Sequence, residues 1–530
     1  MRMACTLDVG MGFLSTEDRT LAEAISSLAY CNPFLPERIA CERQALGADF
    51  VAGGTLWHAS GEPAPNVDAL RQRAGALTDR LSARLGSGPR LTEADLRLYE
   101  DVVAYWLFSR YEDDFYGLVE ARPSREPVGF YGRFRKDVER LLGSPRAPVL
   151  AARDVPHLFA AFFQIRRAFH YILRNVVGDS PPIVRLRAAI WQSIFTRDMR
   201  RYRRSLYQRM GDVATLVTGP SGTGKELVAR AIGLARYVPF DGERQVFAEA
   251  YAESFYALAP SALSPTLIES ELFGHKRGAF TGGLQDRAGW LEVCPPLGTV
   301  FLDEIGELDP MLQIKLLRVL QTRTFQRLGD TRDRRFEGKI IAATNRDLAR
   351  EIEARRFRED LYYRLCSDLV VTPSLDEQLR AAPGDRAALV RFVAGRVAGE
   401  VEAESLAQES ERWIDANLGE GYRWPGNFRE LEQCVRNVMI RGEYQPPRSA
   451  NPSARQRLAD DVLAGSLSAD EVLRRYCTLV YAQTGSYQET GRRLGLDRRT
   501  VREKIDAALL ADLRGGSRPE SEGRRSAGAT

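Results

Sequence analysis

Gly219–Glu226 reads GPSGTGKE and directly follows an apolar, β-prone run, Val213–Thr218. A strand that leads into a glycine-rich turn and then into a helix is the usual setting of a loop that binds phosphate. The three glycines let the backbone wrap around phosphate oxygens, while its N–H groups and the start of the predicted helix, about Lys225–Ala235, supply partial positive charge. Lys225 is spaced to reach the β- and γ-phosphates. The stretch predicts a nucleotide site in an α/β fold; a glycine-rich turn with a solvated lysine is the alternative.

A second motif, GTVFLDEIGE at Gly298–Glu307, is an apolar strand that ends in two carboxylates. Asp303 suits coordination of Mg²⁺, directly or through water, and Glu304 suits the general base that polarises the attacking water. Glu226 stands after Lys225, where a hydroxyl usually helps to bind the metal, so the metal depends more on Asp303. The alternative, two exposed carboxylates at a strand end, is common only where no phosphate loop precedes them.

A third strand is predicted at Lys339–Ala343, and it ends in Thr344 and Asn345. A polar pair at a strand tip beside the first two strands can sense the γ-phosphate. Asn345 has a second explanation, because asparagine also caps helices and a helix is predicted to begin near Arg346.

Several further stretches stand around these motifs: ESELFGHKRGAFTGG (Glu269–Gly283), LLRVLQ (Leu316–Gln321), IIAATNRDL (Ile340–Leu348), FREDLYYRL (Phe357–Leu365) and WPGNFREL (Trp424–Leu431). Together with the phosphate loop and LGTVFLDEIGE, they resemble the AAA+ core of bacterial sigma-54-dependent transcription activators (enhancer-binding proteins), from roughly Arg185 to Gly442. The GAFTGG stretch separates this family from other AAA+ proteins. The resemblance implies an α/β AAA+ P-loop ATPase, a parallel sheet with helices plus a helical lid, that uses ATP and Mg²⁺.

The resemblance also implies a role for each matching residue. Catalysis would depend on Lys225, Asp303 and Glu304, with Asp303 binding the metal. Arg358 and Arg364 would act as arginine fingers that complete the site of the neighbouring subunit in a hexameric ring. Without the family match, salt bridges on an amphipathic helix would explain these arginines. The nucleotide would be bound by Gly219, Pro220, Ser221, Gly222, Thr223, Gly224, Lys225, Glu226, Asp303, Asn345 and Arg429, the last as a second sensor. The contact with sigma-54 would come from Gly278, Ala279, Phe280, Thr281, Gly282 and Gly283, with Phe280 and Thr281 at the tip of the loop.

Three features depart from the family pattern. Gly283 stands where the family has alanine, and its extra backbone freedom would soften the loop as a lever. Ala259 aligns with an asparagine that restrains the catalytic glutamate. TPSLDEQLRAAPGD (Thr372–Asp385) replaces an arginine-rich segment after the fingers.

The pattern divides the chain into six parts. They are an N-terminal regulatory region of unknown type (1–184), an AAA+ α/β ATPase subdomain (185–372), its helical lid (373–445), a linker (446–465), a Fis-type helix-turn-helix domain (466–510) and a disordered tail (511–530). The N-terminal region is predicted to be mostly helical, as at Glu93–Tyr111 and Val155–Val176, and Gly178–Pro182 to be a linker. Its dense aromatics, Tyr105 to Tyr116, indicate core packing, with a ligand pocket as the alternative.

Two basic segments have different interpretations. Arg197–Arg209 carries six arginines and is predicted to be the solvated face of a helix, with contact to DNA or to a neighbouring subunit as the alternative. Near the C-terminus, a helix from Ser468 to Gly485, a second at Tyr487–Leu494 and a third from Asp497 form a helix-turn-helix. It resembles the Fis-type domain of many family members. The exposed side of its last helix, suited to the DNA major groove, carries Arg498, Arg499, Thr500, Arg502 and Lys504.

Composition sets the remaining bounds. The 530 residues are 44% apolar and 28% charged, and the net charge of +4 does not argue for nucleic acid. Seven scattered cysteines without a C-x-x-C pair indicate reduced thiols of a cytoplasmic protein, and four histidines show no ligand spacing, His275 being structural. No apolar run is long enough for a membrane span, and the N-terminus shows no secretion signal.

These observations favour a regulator that binds double-stranded DNA upstream of a promoter. Its hexameric ring would hydrolyse ATP to remodel the sigma-54 RNA polymerase holoenzyme into the open complex. Two alternatives remain: a DNA-binding regulator whose ATPase core is only a switch, and an AAA+ remodeller of another protein. The inducing signal is not evident from the residues.

Overall fold

A computed structural model describes residues 13–52, 65–87, 91–121, 126–143, 154–248, 254–258, 264–280, 284–418, 421–446, 458, 461–463, 465–507, 509–510 and 513. The chain forms two compact units, Met1–Tyr444 and Gln445–Thr530. Most of the predicted linker at 446–465 and nearly all of the predicted tail at 511–530 lie outside the described residues.

A five-stranded parallel sheet is the centre of the first unit. The strands of the whole unit, in chain order, are β1 (Thr215–Thr218), β2 (Phe240–Asp241), β3 (Val246–Phe247), β4 (Phe255–Leu258), β5 (Gly274–His275), β6 (Arg287–Ala288), β7 (Thr299–Leu302), β8 (Thr324–Phe325), β9 (Arg334–Arg335), β10 (Lys339–Thr344) and β11 (Asp368–Val371). The main sheet has the order β11-β1-β10-β7-β4, and the others pair as short antiparallel hairpins, β2 with β3, β5 with β6 and β8 with β9. In β7 and β10 every residue is buried, as expected for strands covered on both faces.

Because these strands are parallel, their carboxyl ends meet at one edge of the sheet. The phosphate loop follows β1, Asp303 follows β7, and Asn345 follows β10. The predicted AAA+ α/β fold is thereby confirmed, and the same edge gathers the motifs that are far apart in sequence.

Helices make up most of the rest of the first unit. They are α1 (Thr16–Tyr30), α2 (Glu37–Leu46), α3 (Pro65–Ser87), α4 (Glu93–Arg110), α5 (Glu112–Glu120), α6 (Tyr131–Leu142), α7 (Val155–Asn175), α8 (Pro181–Phe195), α9 (Met199–Arg204), α10 (Lys225–Leu234), α11 (Pro265–Phe273), α12 (Trp290–Val293), α13 (Pro310–Thr322), α14 (Leu348–Glu353), α15 (Glu359–Leu365), α16 (Leu375–Ala381), α17 (Asp385–Ala398), α18 (Ala403–Asn417) and α19 (Asn427–Arg441). Helices α1–α7 confirm the helical N-terminal region, and α16–α19 form the predicted helical lid with its own apolar core.

The N-terminal helices are not separated from the ATPase, contrary to the expected boundary at residue 184. Residues 178–182 do not form a linker between two bodies, because Pro181 already begins α8 and Ser180 is fully buried. Apolar side chains of α7 and α8 share one core with β1, α10 and β10. The physical reason is that α8 is apolar on several sides, with Ile183, Ile190 and Trp191 all buried, and needs cover from both directions.

Polar contacts reinforce this packing at the end of α10, the helix that follows the phosphate loop. Gln164 of α7 donates its side-chain amide to the carbonyl of Ala235 at 3.0 Å. The buried guanidinium of Arg167 donates to the carbonyls of Leu234 and Arg236. The last carbonyls of a helix lack partners inside the helix and carry partial negative charge, so a buried cation and an amide suit them.

The arginine-rich segment 197–209 is solvated at Arg197, Arg201, Arg204 and Arg209, as predicted, but Arg200 and Arg203 have a different use. Arg200 donates two bonds to the carboxylate of Asp101 in α4, at 2.6 and 3.0 Å, and Arg203 donates to Glu100 at 2.5 Å. Asp101 is 2% exposed and also accepts from Ser26. These two arginines therefore bind the N-terminal helices, which is a use that a charge pattern alone does not reveal.

The second unit contains the predicted three-helix arrangement: α20 (Ala469–Thr484), α21 (Tyr487–Leu494) and α22 (Arg498–Lys504). Ser468 caps α20 through a reciprocal bond with Glu471, and Gly485 ends it in a left-handed conformation. Gly495 ends α21 and Asp497 caps α22, so each predicted helix end is confirmed. Val501 packs fully buried between the helices.

None of the described helices is both long and apolar enough to cross a membrane. Within the described ranges the six cysteines are free thiols, and Cys5 lies outside these ranges.

Arg200→Ala is expected to lower the free energy of unfolding by about 2 kcal/mol, because the buried Asp101 would lose its cation. The loss stays below that of a wholly buried pair because Arg200 is half exposed. Arg201→Ala is the matched control, since the Arg201 side chain is 70% exposed and its ion-pair partner among the described residues is Asp198, at 3.7 Å. Chemical denaturation followed by tryptophan fluorescence measures both. Equal effects would mean that the Arg200–Asp101 pair does not join segment 197–209 to the N-terminal helices.

Candidate functional site

A cavity of about 480 Å³ opens at the carboxyl edge of the sheet, between the phosphate loop and the lid. Three parts of the chain line it. The phosphate-loop side has Gly222, Thr223, Gly224, Lys225, Glu226 and Arg230, with Asp303 and Glu304 beside them; the lid side has Gln378, Phe392, Arg396, Phe428, Arg429 and Glu432; and the α7–α8 side has Asn175, Val176, Val177, Ile183 and Leu186. Carboxylates and cations beside the phosphate loop, further cations from the lid and a mainly apolar α7–α8 wall suit a nucleotide.

The phosphate loop is held in shape by the segment after β11. Gly219 has a φ of +147°, and a Cβ there would lie 2.2 Å from the hydroxyl oxygen of Thr372. That hydroxyl also lies 2.7 Å from the hydroxyl of Thr223, which donates to the carbonyl of Pro220 at 2.9 Å. The close approach explains why glycine is needed at residue 219. The hydroxyl of Thr223 is therefore engaged in a hydrogen bond within the loop. Thr372 belongs to the segment that departs from the family pattern.

Lys225 folds back on its own loop. Its ammonium donates to the carbonyls of Gly219 and Pro220, each at 3.1 Å. Burial lowers the pKa of Lys225, while the carboxylates of Glu304 and Asp303 act in the opposite direction. Carbonyls are weak partners for a cation, so phosphate oxygens would compete well for this ammonium.

The carboxylates follow β7 as predicted. Burial raises the pKa of Asp303, although the backbone N–H of Glu304 and the charge of Lys225 oppose the shift. A partly buried carboxylate whose negative charge is only weakly balanced by neighbouring groups is a suitable ligand for Mg²⁺. This ion is commonly bound by one or two carboxylates plus phosphate and water. No group of three or more His, Cys, Asp or Glu side chains that could hold a metal ion occurs among the described residues. Glu226 is exposed and pairs with Arg230.

Glu304 adopts a left-handed conformation (φ +49°, ψ +47°) at the sheet edge. The backbone N–H of Asn345 approaches its carboxylate at 3.4 Å. The strand tip predicted as a sensor is therefore beside the predicted base. The alternative that Asn345 caps the next helix is wrong, because α14 begins at Leu348 and the side chain of Asp347 accepts its first N–H groups. Ala259 lies outside the described residues.

The lid contacts the phosphate loop directly. Phe428 donates its backbone N–H to the carbonyl of Gly222 at 3.0 Å, and Asn427 donates its side-chain amide to the carbonyl of Ser221 at 2.9 Å. Arg429, the predicted second sensor, donates to the hydroxyl of Ser221 at 3.0 Å. These bonds couple the conformation of the phosphate loop to the position of the start of α19.

Sequence reasoning missed the wall formed by α7 and α8. Asn175, Val177, Ile183 and Leu186 line the cavity but belong to no motif, because apolar contacts to a nucleotide leave no pattern in a single sequence. It also missed Asp385 of the lid, whose carboxylate accepts from the backbone N–H groups of Asp179 and Ser180 at 2.7 and 2.8 Å. This contact joins the lid to the α7–α8 turn.

The two predicted arginine fingers do not line the cavity of their own chain. Arg358 donates two bonds to Asp360, at 3.0 and 2.7 Å, and its backbone N–H donates to the buried Gln313. Arg364 is exposed on α15; its carbonyl accepts from the hydroxyl of Ser367 at 2.9 Å, and its guanidinium has no ion pair or hydrogen bond within the described part of the chain. Both are oriented by a short helix rather than by the local site.

The GAFTGG loop is described as far as Phe280; Thr281, Gly282 and Gly283 lie outside the described residues. Phe280 is half-buried, with its ring 4.9 Å from that of the buried His275, which bonds to the hydroxyl of Ser270. His275 thus has a structural role, as predicted.

Asp286 closes the base of the loop by accepting from the ammonium of Lys276 and from the backbone of Arg277. The Lys276 ammonium lowers the pKa of Asp286.

A second loop adjoins this base, and sequence reasoning did not single it out. The turn between β8 and β9 bonds to β5 through Leu328, whose N–H donates to Gly274 and whose carbonyl accepts from Lys276. Its Gly329 lies against Ala279. The two loops therefore form one surface.

In the second unit, the predicted DNA-contacting side chains fall into two groups. Arg498 and Arg502 are exposed and have no ion pair within the described part of that unit. The others are engaged: Arg499 pairs with Glu503 at 3.2 Å, Thr500 donates to Asp497, and Lys504 pairs with Asp470 of α20.

Comparison with known proteins agrees with these features. Residues 194–370 match the family described as "Sigma-54 interaction domain". The sigma54-dependent transcriptional activator SfnR of Pseudomonas putida is 39% identical over 286 residues, which is 52% of this chain and 71% of SfnR. The hydrogenase transcriptional regulatory protein HoxA of Bradyrhizobium diazoefficiens is 38% identical over 310 residues, which is 56% of this chain and 59% of HoxA. For several other relatives the chain spans only 40–63% of the relative's length.

Among solved structures, NtrX from Brucella abortus in complex with ATP has 24% identity, covering 68% of this chain and 76% of NtrX. Its TM-score is 0.37, a value too low to add to the fold described above.

Gly219→Ala is expected to weaken nucleotide binding by at least about tenfold, because the methyl group would collide with Thr372 and the loop would have to move. Gly384→Ala serves as the control, since Gly384 has an ordinary φ of −64° and open space around it. Titration with a fluorescent ATP analogue measures both variants. Unchanged affinity in Gly219→Ala would show that the contact with Thr372 does not shape the site.

Proposed function

Because the chain belongs to the sigma-54-dependent transcriptional activators, we propose that it hydrolyses ATP to remodel the sigma-54 RNA polymerase holoenzyme into the open complex. The observation that carries the proposal is the meeting of Lys225, Asp303, Glu304 and Arg429 around one cavity at the carboxyl edge of the sheet. Those residues come from three separate motifs.

The proposed reaction is attack of water on the γ-phosphate of ATP. Lys225 leaves its two carbonyl partners and binds phosphate oxygens, and Arg429 binds the phosphates from the lid. Asp303 would hold Mg²⁺, which would supply positive charge to neutralise the phosphates. Glu304 accepts the proton of the attacking water, and the N–H of Asn345 orients its carboxylate.

Hydrolysis is proposed to require a ring of subunits, hexameric as the family resemblance implies. Arg358 and Arg364 lie away from the cavity of their own chain, which supports their action on a neighbour. A guanidinium supplied in trans stabilises the charge that develops on the γ-phosphate. Arg358 must first exchange Asp360 for that phosphate.

The GAFTGG loop is proposed to contact sigma-54 through Phe280 and Thr281 and to transmit to it the movement that hydrolysis drives. Its base is connected to the nucleotide side through α11, which leads from β4 into β5. Phe280 rests half-buried on His275, so exposing its ring would be a defined movement between two positions. The apolar ring then offers contact area to a protein partner.

The second unit is proposed to bind double-stranded DNA with α22 in the major groove, and so to bring the ring near a promoter. Arg498 and Arg502 are the free cations suited to phosphates and base edges. Residues 1–184 are proposed to regulate the ATPase in the cytoplasm, in response to a signal.

Glu304→Gln is expected to lower kcat for ATP hydrolysis at least about 100-fold while ATP still binds, because the amide cannot accept the proton. Thr281→Ala is expected to leave hydrolysis near wild type and to abolish open-complex formation by sigma-54 polymerase. A phosphate-release assay and a promoter-opening assay on the full chain measure the two properties.

Each alternative function has its own outcome in these assays. ATP and DNA binding without turnover in the wild-type chain would favour a regulator with a switch-like core. Turnover without promoter opening, while another activator opens the same promoter, would favour remodelling of a different protein. Promoter opening by Thr281→Ala would contradict the proposed role of the loop.

Arg502→Ala is expected to weaken binding to random-sequence duplex DNA about tenfold and to reduce the slope of log affinity against log salt by about one. Arg475→Ala, on α20 and paired with Asp461, is the control and should bind as the wild type does. Fluorescence anisotropy over a series of salt concentrations measures both. Equal losses in the two variants would contradict the placement of α22 on DNA.

A further inference from the structure

A second cavity, of about 120 Å³, lies among the N-terminal helices and is walled mainly by apolar side chains. Helices α1 to α5 and α7 to α9 all contribute to its walls, and the aromatic part comes mainly from α4, α7 and α8, with Phe108, Phe162, Phe169 and Trp191. The Trp191 ring packs against those of Phe169 and Phe195, with centroids at 5.0 and 4.4 Å. A dry apolar cavity of about 150 Å³ holds one benzene molecule, so this space suits a compact ligand of six or seven heavy atoms.

One polar group in the wall has an unmet bond. Trp191 is 3% exposed, and its indole N–H has no hydrogen-bond acceptor within the described residues. A buried donor without an acceptor is costly, and natural proteins rarely keep one without a reason. The nitrogen itself is buried, so a bound molecule must displace neighbouring wall atoms slightly for an acceptor on it to satisfy this N–H.

The charges in the wall are already neutralised. Three charged side chains line it, and each has a partner: Arg38 pairs with Glu42 at 2.6 Å, Arg203 with Glu100 at 2.5 Å, and Glu112 accepts from Arg71 and Arg166 at 2.9 and 2.8 Å. The cavity therefore offers no uncompensated charge, and a charged ligand would lose its hydration without a counter-ion. An uncharged ligand fits.

The cavity shares a helix with the nucleotide site. Ile183 and Leu186 of α8 line the nucleotide cavity, while Trp191 and Phe195 of the same helix line the apolar one. A second link runs through Gln164, which lines the apolar cavity, accepts from the hydroxyl of Tyr202 at 2.8 Å, and donates to the carbonyl at the end of α10. The first link reaches the α7–α8 wall of the nucleotide cavity, and the second reaches the end of α10, the helix that begins at the phosphate loop.

We propose that this cavity is an effector site for a small, uncharged and mostly apolar molecule with one hydrogen-bond acceptor, and that its occupancy is coupled to nucleotide binding through α8 and Gln164. The coupling rests on the proposed nucleotide site; the binding does not.

Binding is tested with cyclohexanone and methylenecyclohexane, which have the same shape and differ only in the carbonyl acceptor. The full chain, which has six tryptophans, is labelled with ¹⁵N-tryptophan, and its indole N–H resonances are followed by NMR. Trp191→Phe identifies the Trp191 resonance by its loss. Cyclohexanone should shift this resonance downfield in a saturable manner, and methylenecyclohexane should shift it less.

Two substitutions on α4 provide the matched comparison. Ala104→Leu places three more carbons in the cavity wall and should weaken the cyclohexanone response at least tenfold, while Ala94→Leu makes the same change at an exposed position and should leave it intact. Ala161→Leu, on the opposite wall, repeats the test if Ala104→Leu does not fold. An unaffected Trp191 resonance, or equal responses in the two leucine variants of α4, would overturn the proposed site.

Coupling is tested by the affinity of a fluorescent ATP analogue with and without saturating cyclohexanone. We expect a change of at least threefold in wild type and in Ala94→Leu, and none in Ala104→Leu; by thermodynamic linkage the analogue must change the affinity for cyclohexanone by the same factor. Cyclohexanone binding with unchanged analogue affinity would overturn the coupling. Failure of the analogue to bind at all would contradict the proposed ATPase while leaving the effector site standing.

Discussion

The packing of α7 and α8 against α10 is the contact on which the rest of the first unit depends. Helix α10 sets the direction of the phosphate loop, and its last carbonyls are satisfied by Gln164 and Arg167 of α7 instead of by water. Helix α8 lies between the N-terminal helices and the sheet, and both of its sides are buried. A buried cation at the end of a helix is costly to displace, because it would leave both the charge and the carbonyls without partners. The geometry of the nucleotide site therefore depends on residues that belong to none of the motifs.

A second constraint comes from the close approach of three segments at the phosphate loop. Thr372 leaves no room for a side chain at residue 219, and the carbonyl of Gly426 comes within 2.4 Å of where a Cβ on Gly222 would lie. The loop thus touches the end of the sheet on one side and the lid on the other. Asp385 ties the same lid to the turn before α8. A movement of the lid would therefore be transmitted at both contacts.

The sequence predicted the sheet, the lid, the carboxyl-edge motifs and the ends of α20–α22, because each has a local cause. Glycine at a helix end, serine before a helix and an apolar run before two carboxylates all act within a few residues. What it did not predict depends on distant partners. Arginines 200 and 203 looked like a solvated face until Asp101 and Glu100 were placed beside them. Capping was a second explanation for Asn345, but Asp347 makes the cap, because asparagine and aspartate have nearly equal propensity for that position. Residues 178–182 had the composition of a linker, but composition does not show that Ser180 is buried.

The shared core also bears on how such a protein can change over generations. An input region joined by a loose tether can be exchanged for another without rebuilding the enzyme it controls. Here an exchange would strip the cover from α8 and the end of α10, exposing Trp191, Phe169 and the guanidinium of Arg167 to water. New sensitivity would then have to arise by altering the walls of an existing cavity, residue by residue, rather than by acquiring a different module.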